Sequence, residues 1–229
     1  MSTSPRPVLL SWSSGKDSAW CLHHLRTRHD VEVVGLLTTI DRPANRVAMH
    51  AVRRELLQRQ AEAVGLPLLT VDLPWPCPNV EYERLMGEAL AKASTRYEVD
   101  TVAFGDLYLE DIRDYREQQL SRLGVATLFP LWRQPTASLA RQMVAGGLRA
   151  VITCVDSKRC PSDLAGREFD QALLEALPPD VDPCGENGEF HTFAFDSPEF
   201  ASPIGVEVGN RTERDGFVFA DLLPATDER

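Results

Sequence analysis

Apolar residues fall in two alternating patterns along the first 130 positions. Short continuous runs are followed by stretches with one apolar stripe at helical spacing. Val8-Leu9-Leu10, extending to Ser11, is a run of the kind carried by a strand buried on both faces. Asp17 to Arg28 follows as a helix, with Ala19, Trp20, Leu22 and Leu25 on one side. Val31 to Thr38 is β-branched and reads as a second strand. His50 to Val64 is a helix stopped by Gly65 and Pro67. Leu68–Leu73 is a third strand, and Glu81–Tyr97 a helix with Leu85, Ala89, Leu90 and Ala93 inward. Thr101–Phe104 is a short buried strand running into Gly105-Asp106. Ile112–Leu123 is a helix and Ala126–Leu131 a fifth strand. Strands separated by helices predict a parallel sheet with right-handed crossovers. Ligands of such sheets sit beyond the carboxyl ends of the strands, where the strand order switches. Three segments fall at such ends: Ser13–Ser18, Thr38–Asp41 and Gly105-Asp106.

The pattern changes after Arg133. A helix is expected over Ser138–Val144, a strand over Ala150–Val155 and a helix over Phe169–Leu177, before Pro178-Pro179 breaks the chain. Phe193-Ala194-Phe195 is strand-like. Val206-Glu207-Val208 and Phe217-Val218-Phe219, split by Asp215-Gly216, form a closing hairpin. This divides the chain into residues 1–133, a nucleotide-type α/β domain, and 134–229, a smaller α+β domain.

Bulk properties narrow the partners. The 229 residues carry a net charge of −10, which argues against general nucleic-acid binding, a function of clustered Lys and Arg. No stretch is apolar enough for a membrane span, and nothing after Met1–Pro7 reads as a signal peptide. Five cysteines, an odd number, suit reduced thiols in a cytoplasmic location. Cys154 and Cys160 lack the two-residue spacing of a redox or zinc pair, so all five read as inert thiols. Lysine occurs three times, at 16, 92 and 158, which singles out Lys16 in a loop.

That loop, Ser13-Ser14-Gly15-Lys16-Asp17-Ser18, joins the first strand to the first helix. Small side chains let backbone N–H groups approach an anion. The helix N-terminus adds unpaired donors and a positive dipole end. It is not a Walker A loop, which needs two glycines around four residues before the Lys. It resembles the Ser-Gly-Gly-Lys-Asp-Ser signature of the PP-loop ATP pyrophosphatases, with Ser14 where glycine is usual. A second run, Cys184-Gly185-Glu186-Asn187-Gly188-Glu189-Phe190-His191-Thr192, packs two carboxylates, an amide, an imidazole and a hydroxyl into nine residues. Strand alternation from Phe190 would put Glu189 and His191 on one face. This run is similar to the Gly-Glu-x-Gly-Glu-(Phe/Tyr)-x-Thr motif of the diphthine–ammonia ligase family, a PP-loop branch. The likeness also takes in Phe104-Gly105-Asp106, Arg113, Glu117 and Pro130-Leu131-Trp132-Arg133. The Arg-rich, Lys-poor make-up and the Glu-Asn-Gly-Glu-Phe-His variant look like bacterial members.

The resemblance implies a PP-loop (HUP-type) parallel sheet flanked by helices, with a smaller C-terminal α+β domain. It also implies an ATP-dependent amide ligase that adenylates a carboxylate, releases pyrophosphate and admits ammonia, with Mg²⁺ on the phosphates. Ser13, Ser14, Gly15, Lys16 and Ser18 would hold the pyrophosphate, and Asp17 would cap the helix or help with Mg²⁺. The backbone at Leu37 and Thr38 would face adenine beside Gly105, and Asp106 would be a metal ligand or a turn residue. Glu186, Glu189 and His191 are the candidate catalytic groups. His50, Arg53, Asn187 and Thr192 are the candidate substrate contacts, and Arg113 and Glu117 pair along one helix. The acceptor acid is not specified by the residues, and a homodimer is one assembly open to the chain. Two other readings remain at this level: a nucleotide sensor without turnover, and a PP-loop enzyme acting on RNA.

Overall fold

The computed structural model describes residues 4–225. Residues 1–3, part of the stretch read for a leader, and 226–229 lie outside the described residues.

A parallel sheet carries the first half. Its strands are β1 (Arg6–Ser11), β2 (Val31–Asp41), β4 (Leu68–Leu73), β5 (Thr101–Ala103) and β6 (Ala126–Leu128), in the order β4-β2-β1-β5-β6. The helices between them are α1 (Lys16–Arg26), α2 (Arg54–Val64), α3 (Asn79–Tyr97) and α4 (Glu110–Ser121). Val8, Leu9 and Leu10 are wholly buried because both faces are covered. Val8 and Leu10 join one apolar cluster and Leu9 the other. The order reverses between β1 and β5, so the loops leaving those two strands lie side by side at the switch point.

Two features exceed the sequence reading. β2 runs on to Asp41 and is met by a two-residue antiparallel strand, β3 (Arg46–Val47). The helix expected from His50 begins only at Arg54. Residues before it are held as a turn, with Met49 (φ 65°) and Ala51 (φ 56°) left-handed and Arg46 bridged to Arg53. The stop at Gly65 (φ 73°) is as expected.

A second sheet carries the rest. Its strands β7 (Arg149–Asp156), β8 (Phe190–Asp196), β9 (Val206–Arg214) and β10 (Phe217–Pro224) are all antiparallel, in the order β8-β7-β10-β9. The helices α5 (Thr136–Ala145) and α6 (Gln171–Ala176) and a short 3₁₀ turn at Ser162–Leu164 complete it. The β9–β10 hairpin turns on Asp215 (φ 55°) and Gly216 (φ 82°), the paired positive φ of a type I′ turn. The edge strand β9 is mostly exposed and charged, which blocks pairing with another edge. One apolar cluster runs from β1 and α1 through to β8 and β10, so the two sheets share a core.

Candidate functional site

The Ser13–Ser18 turn is anchored from three sides. Ser14 is wholly buried with φ 70°, a left-handed geometry that explains why glycine is usual at this position. Its carbonyl accepts from the Ala194 N–H of β8 at 2.9 Å and from Gln60 Nε2 at 2.9 Å. Gln60, buried on α2, also accepts from Trp12 Nε1 (2.8 Å) and donates to the Ala194 carbonyl (2.7 Å). Gly15 is glycine for space: a Cβ there would stand 2.8 Å from His50 Cε1 and 3.1 Å from the Thr192 carbonyl. The Lys16 N–H donates to Thr192 Oγ1 at 3.0 Å. Ser18 Oγ donates to the Gly15 carbonyl, and Ser13 Oγ lies 3.3 Å from Ser18 Oγ. Gly105 presses on the other flank, where a Cβ would meet the Asp17 backbone at 3.0 Å.

Lys16 is 2% exposed. Its ammonium donates to the Asp17 carboxylate (2.8 Å) and to the Cys184 carbonyl, and stands over the rings of Phe169 and Phe190. Burial alone would depress its pKa. The Asp17 carboxylate, joined by Cys184 and Glu186, offsets that and holds it above the ordinary lysine value, so Lys16 is charged. Asp17 therefore does not cap α1. Gly15 occupies the cap position without a side-chain bond, and the Asp17 carboxylate is committed to Lys16.

A cavity of about 410 Å³ opens over this turn, within the usual size of small-molecule sites, roughly 300–1,000 Å³. Ser13, Lys16, Asp17 and Ser18 line it together with Cys184, Glu186, His191 and Thr192, which meet the turn through the Lys16 bonds to Thr192 and Cys184. Leu37 and Thr38 reach it from β2, Gly105 and Asp106 from β5, and His50 from the turn before α2. Beyond them the cavity runs between α3 and α4, past Met86, Tyr115 and Leu123.

Each titratable group there has a defined environment. Glu186 Oε1 accepts from the backbone N–H groups of Leu107 (2.7 Å) and Tyr108 (3.3 Å). Burial pushes its carboxyl up to about 7, against the pull of the Leu107 N–H. His50 Nδ1 lies 3.0 Å from the Thr192 carbonyl, which can only accept, so that nitrogen carries the proton. The His50 and His191 rings are 4.7 Å apart. Burial lowers His50 to about 4 and His191 to about 3, leaving both neutral at ordinary pH. Asp106 is ion-paired with Arg116 on α4 at 2.9 Å.

Not every expected residue comes to the cavity. Arg53 is drawn off by Asp221 on β10, at 2.5 Å, where Arg46 joins the same carboxylate. Asn187 is exposed and Glu189 buried, and neither lines the cavity. Glu189 is buried, and its Oε1 accepts from the Asp182 N–H (3.2 Å) and Asn187 Nδ2 (2.9 Å) rather than meeting His191. Ser14 and Gly15 belong to the turn but lie beneath its surface. Arg113 and Glu117 pair with each other as expected, at 2.7 Å. All five cysteines are free; Cys21, Cys154, Cys160 and Cys184 are buried and their thiols raised by that burial. Among the described residues no group of three or more His, Cys, Asp and Glu side chains could hold a metal ion, and no helix is long and apolar enough to cross a membrane.

Gln60 and Arg116 escaped the sequence reading. Each lies mid-helix, 40 or more residues from the loop it serves or, for Arg116, ten residues from a partner separated by a turn. A Gln on the apolar stripe of α2 was the one available signal.

Loop, switch point and cavity together define an α/β protein of the PP-loop class with an appended antiparallel sheet. Comparison with known sequences gives the family. The model of the diphthamide synthase N-terminal domain matches residues 7–127, and that of the diphthamide synthase C-terminal domain matches 135–220. The chain belongs to the diphthamide synthase family, a family of ATP-dependent ligases. It is similar to the diphthine–ammonia ligase of Danio rerio, 28% identical over 217 residues that cover 85% of this chain and 84% of that protein. It is likewise similar to the diphthine–ammonia ligases of Rattus norvegicus (27% identical, 92% and 86% covered) and Homo sapiens (28%, 85% and 80%).

Proposed function

We propose that this protein amidates a carboxylic acid: ATP is split to AMP and pyrophosphate, and ammonia displaces AMP from the acyl-adenylate. One observation carries the reading. A carboxyl group titrating near neutrality, Glu186, shares a cavity with a helix N-terminus and a buried lysine. The first suits proton transfer at working pH, and the second suits a polyphosphate.

The Ser13–Ser18 turn would hold the β and γ phosphates by backbone N–H groups and the Ser13 and Ser18 hydroxyls, with Lys16 offsetting their charge. Leu37 and Thr38 would face the base. The acceptor carboxylate oxygen attacks the α phosphorus, and pyrophosphate leaves with the electron pair of the broken P–O bond. The nitrogen lone pair of ammonia then attacks the acyl carbon, and AMP leaves with the C–O pair. The surplus proton on nitrogen passes to the Glu186 carboxylate. We assign the base to Glu186 because it lines the cavity. His191, at about 3, is too weak a base, and Glu189 is tied to Asp182 and Asn187. His191 and His50, both neutral, would serve as orienting donors or acceptors, with Thr192 fixing the turn.

Mg²⁺ is bound in such sites by one or two carboxylates plus substrate phosphates rather than by a protein cage. Asp17 and Asp106, the carboxylates beside the turn, would hold it, each sharing its present pairing with Lys16 or Arg116. The ion would neutralise charge on the phosphates. Diphthine, which the relatives' names specify, is the first acceptor to try.

The test is to mix the protein, Mg²⁺-ATP and ammonium with a diphthine-bearing protein or other carboxylic acids. AMP plus pyrophosphate is expected, dependent on the acid. ADP plus phosphate would overturn the reading.

A further inference from the structure

Residues 182–189 gather three carboxylates: Glu186, which lines the cavity, and Asp182 and Glu189, which do not. Among the described residues none of them is within ion-pair distance of a Lys, Arg or His. The contrast with their surroundings is sharp. Asp17 holds Lys16, Asp106 holds Arg116 and Asp156 holds Arg159. Glu189 is the extreme case. The residue is 3% exposed, its Oε1 accepts two N–H bonds, and its Oε2 is buried with no partner at all. Leaving an oxygen of a buried carboxylate without a partner is costly, and such groups mark a missing ion or water.

The rest of the loop supplies acceptors. Asp182 uses Oδ2 for the Glu186 N–H (2.9 Å), and Asn187, whose Nδ2 is spent on Glu189, keeps its amide oxygen in the same loop. Acceptors outnumber donors among these side chains, and the nearest cations, Arg159 and Lys16, reach only the Asn187 and Cys184 carbonyls of the loop and not its carboxylates. A small monovalent cation with several N–H donors meets those terms. A phosphate or a second carboxylate does not.

We infer that Glu189 Oε2, backed by Asp182 and Asn187, is the seat of an ammonium ion, one loop away from Glu186 in the cavity. This rests on the amidation reading for its purpose but not for its geometry. The molecule that leaves the seat for the acyl carbon is NH₃, with the fourth proton of the ion left on the carboxylate. Holding ammonium apart from the cavity also keeps the cation away from the phosphates, which would otherwise compete for it.

The test needs no acceptor. Crystals of the full chain soaked in rubidium chloride, with diffraction recorded across the rubidium edge, should show an anomalous peak within bonding distance of Glu189 Oε2. Back-soaking in ammonium chloride should remove it, and Glu189→Gln should abolish it. Gln keeps an acceptor at the Oε1 position, so that variant retains its bonds to Asp182 and Asn187. Asn187→Ala, which loses one donor to Glu189, should shift the concentration needed rather than abolish the peak. No rubidium at saturation, or rubidium that ammonium does not displace, overturns the inference. A protein that binds rubidium as described but releases no AMP with any acid would leave the seat standing and count against the amidation reading alone.

Discussion

Two loops meet at one cavity, and they are built on opposite principles. In the Ser13–Ser18 turn the charges are matched and the backbone is locked. Lys16 is paired with Asp17, Gln60 and Ala194 hold the Ser14 carbonyl, and Thr192 takes the Lys16 N–H. In the Cys184–Glu189 loop the acids are held only by backbone N–H groups and an amide, and no cation meets them. The first arrangement fixes the backbone of the turn before a phosphate arrives, while the Lys16 ammonium would exchange part of its bonding to Asp17 and the Cys184 carbonyl for the phosphate. In the second, burial pushes the Glu186 carboxyl up to about 7, with the neighbouring Asp17 and Asp106 carboxylates adding to the rise. The Lys16 bond to the Cys184 carbonyl is the one polar link running from the cradle's lysine into the acid loop. Phosphate binding and acid chemistry can therefore be attacked from either side by mutation, with Lys16 the point where the two sides couple.

The largest effect is expected on the acid side. Glu186→Gln keeps the shape and the bonds from Leu107 and Tyr108 but removes the base. Turnover should fall about 10³-fold, equivalent to ~4 kcal/mol in the barrier, as a positioned acid–base group supplies. ATP binding should be unchanged by titration calorimetry. The wild-type rate should fall as pH drops through about 7, because the base is then protonated, and the variant should lack that limb. Retention of the limb in Glu186→Gln would transfer the base to another group.

Lys16→Ala comes next and attacks the cradle. Charge-assisted bonds to phosphate are worth ~1.5–3 kcal/mol each, so ATP affinity should fall about 100-fold. Circular dichroism should show the fold intact. Loss of the Cys184 contact would also loosen the acid loop, seen as faster amide exchange over 184–189. Undiminished ATP affinity would remove Lys16 from the phosphate site.

Gln60→Ala tests the lock itself and touches no substrate. It strands the Trp12 indole N–H and one acceptor on Ala194, and it opens a void in a fully buried position. Unsatisfied partners and the cavity together should cost about 2–4 kcal/mol, read from the urea midpoint. A cost under 1 kcal/mol would mean the turn is held by β8 alone.

Much of this comparison was legible in the chain. The parallel sheet follows from runs such as Val8–Leu10, buried on both faces, and the position of the turn follows from the switch at β1 and β5. The two motifs brought Ser13, Lys16, Asp17, Ser18, Glu186 and His191 to one cavity. What escaped has a common cause, competition decided in three dimensions. Arg53 stands where a substrate contact was expected, but Asp221, 168 residues away, claims it. Alternation along β8 would have paired Glu189 with His191. Glu189 instead sits just before the strand begins, where the turn aims its carboxylate at Asp182. Asp17 looked like a cap by position, yet a buried lysine next to it was the stronger partner. Local patterns fix elements; which of two polar partners wins depends on burial, and one sequence does not display burial.

The smallest expected effect concerns the departure from the usual glycine. Ser14 is held left-handed, at roughly 1–2 kcal/mol for a residue with a Cβ. Its hydroxyl is buried with no partner, a further cost. Against this, Ser14→Gly raises the entropy of the unfolded chain, at about 0.5–1 kcal/mol. The strain and the orphaned hydroxyl outweigh the entropy, so Ser14→Gly should be net stabilising by about 1 kcal/mol, a rise in Tm of roughly 2–4 °C for a chain of this size. The backbone donors do not change, so ATP affinity should stay within about twofold. A fall in Tm would mean that the Ser14 hydroxyl finds a partner in solution, and a fall in ATP affinity at constant Tm would identify that partner as phosphate.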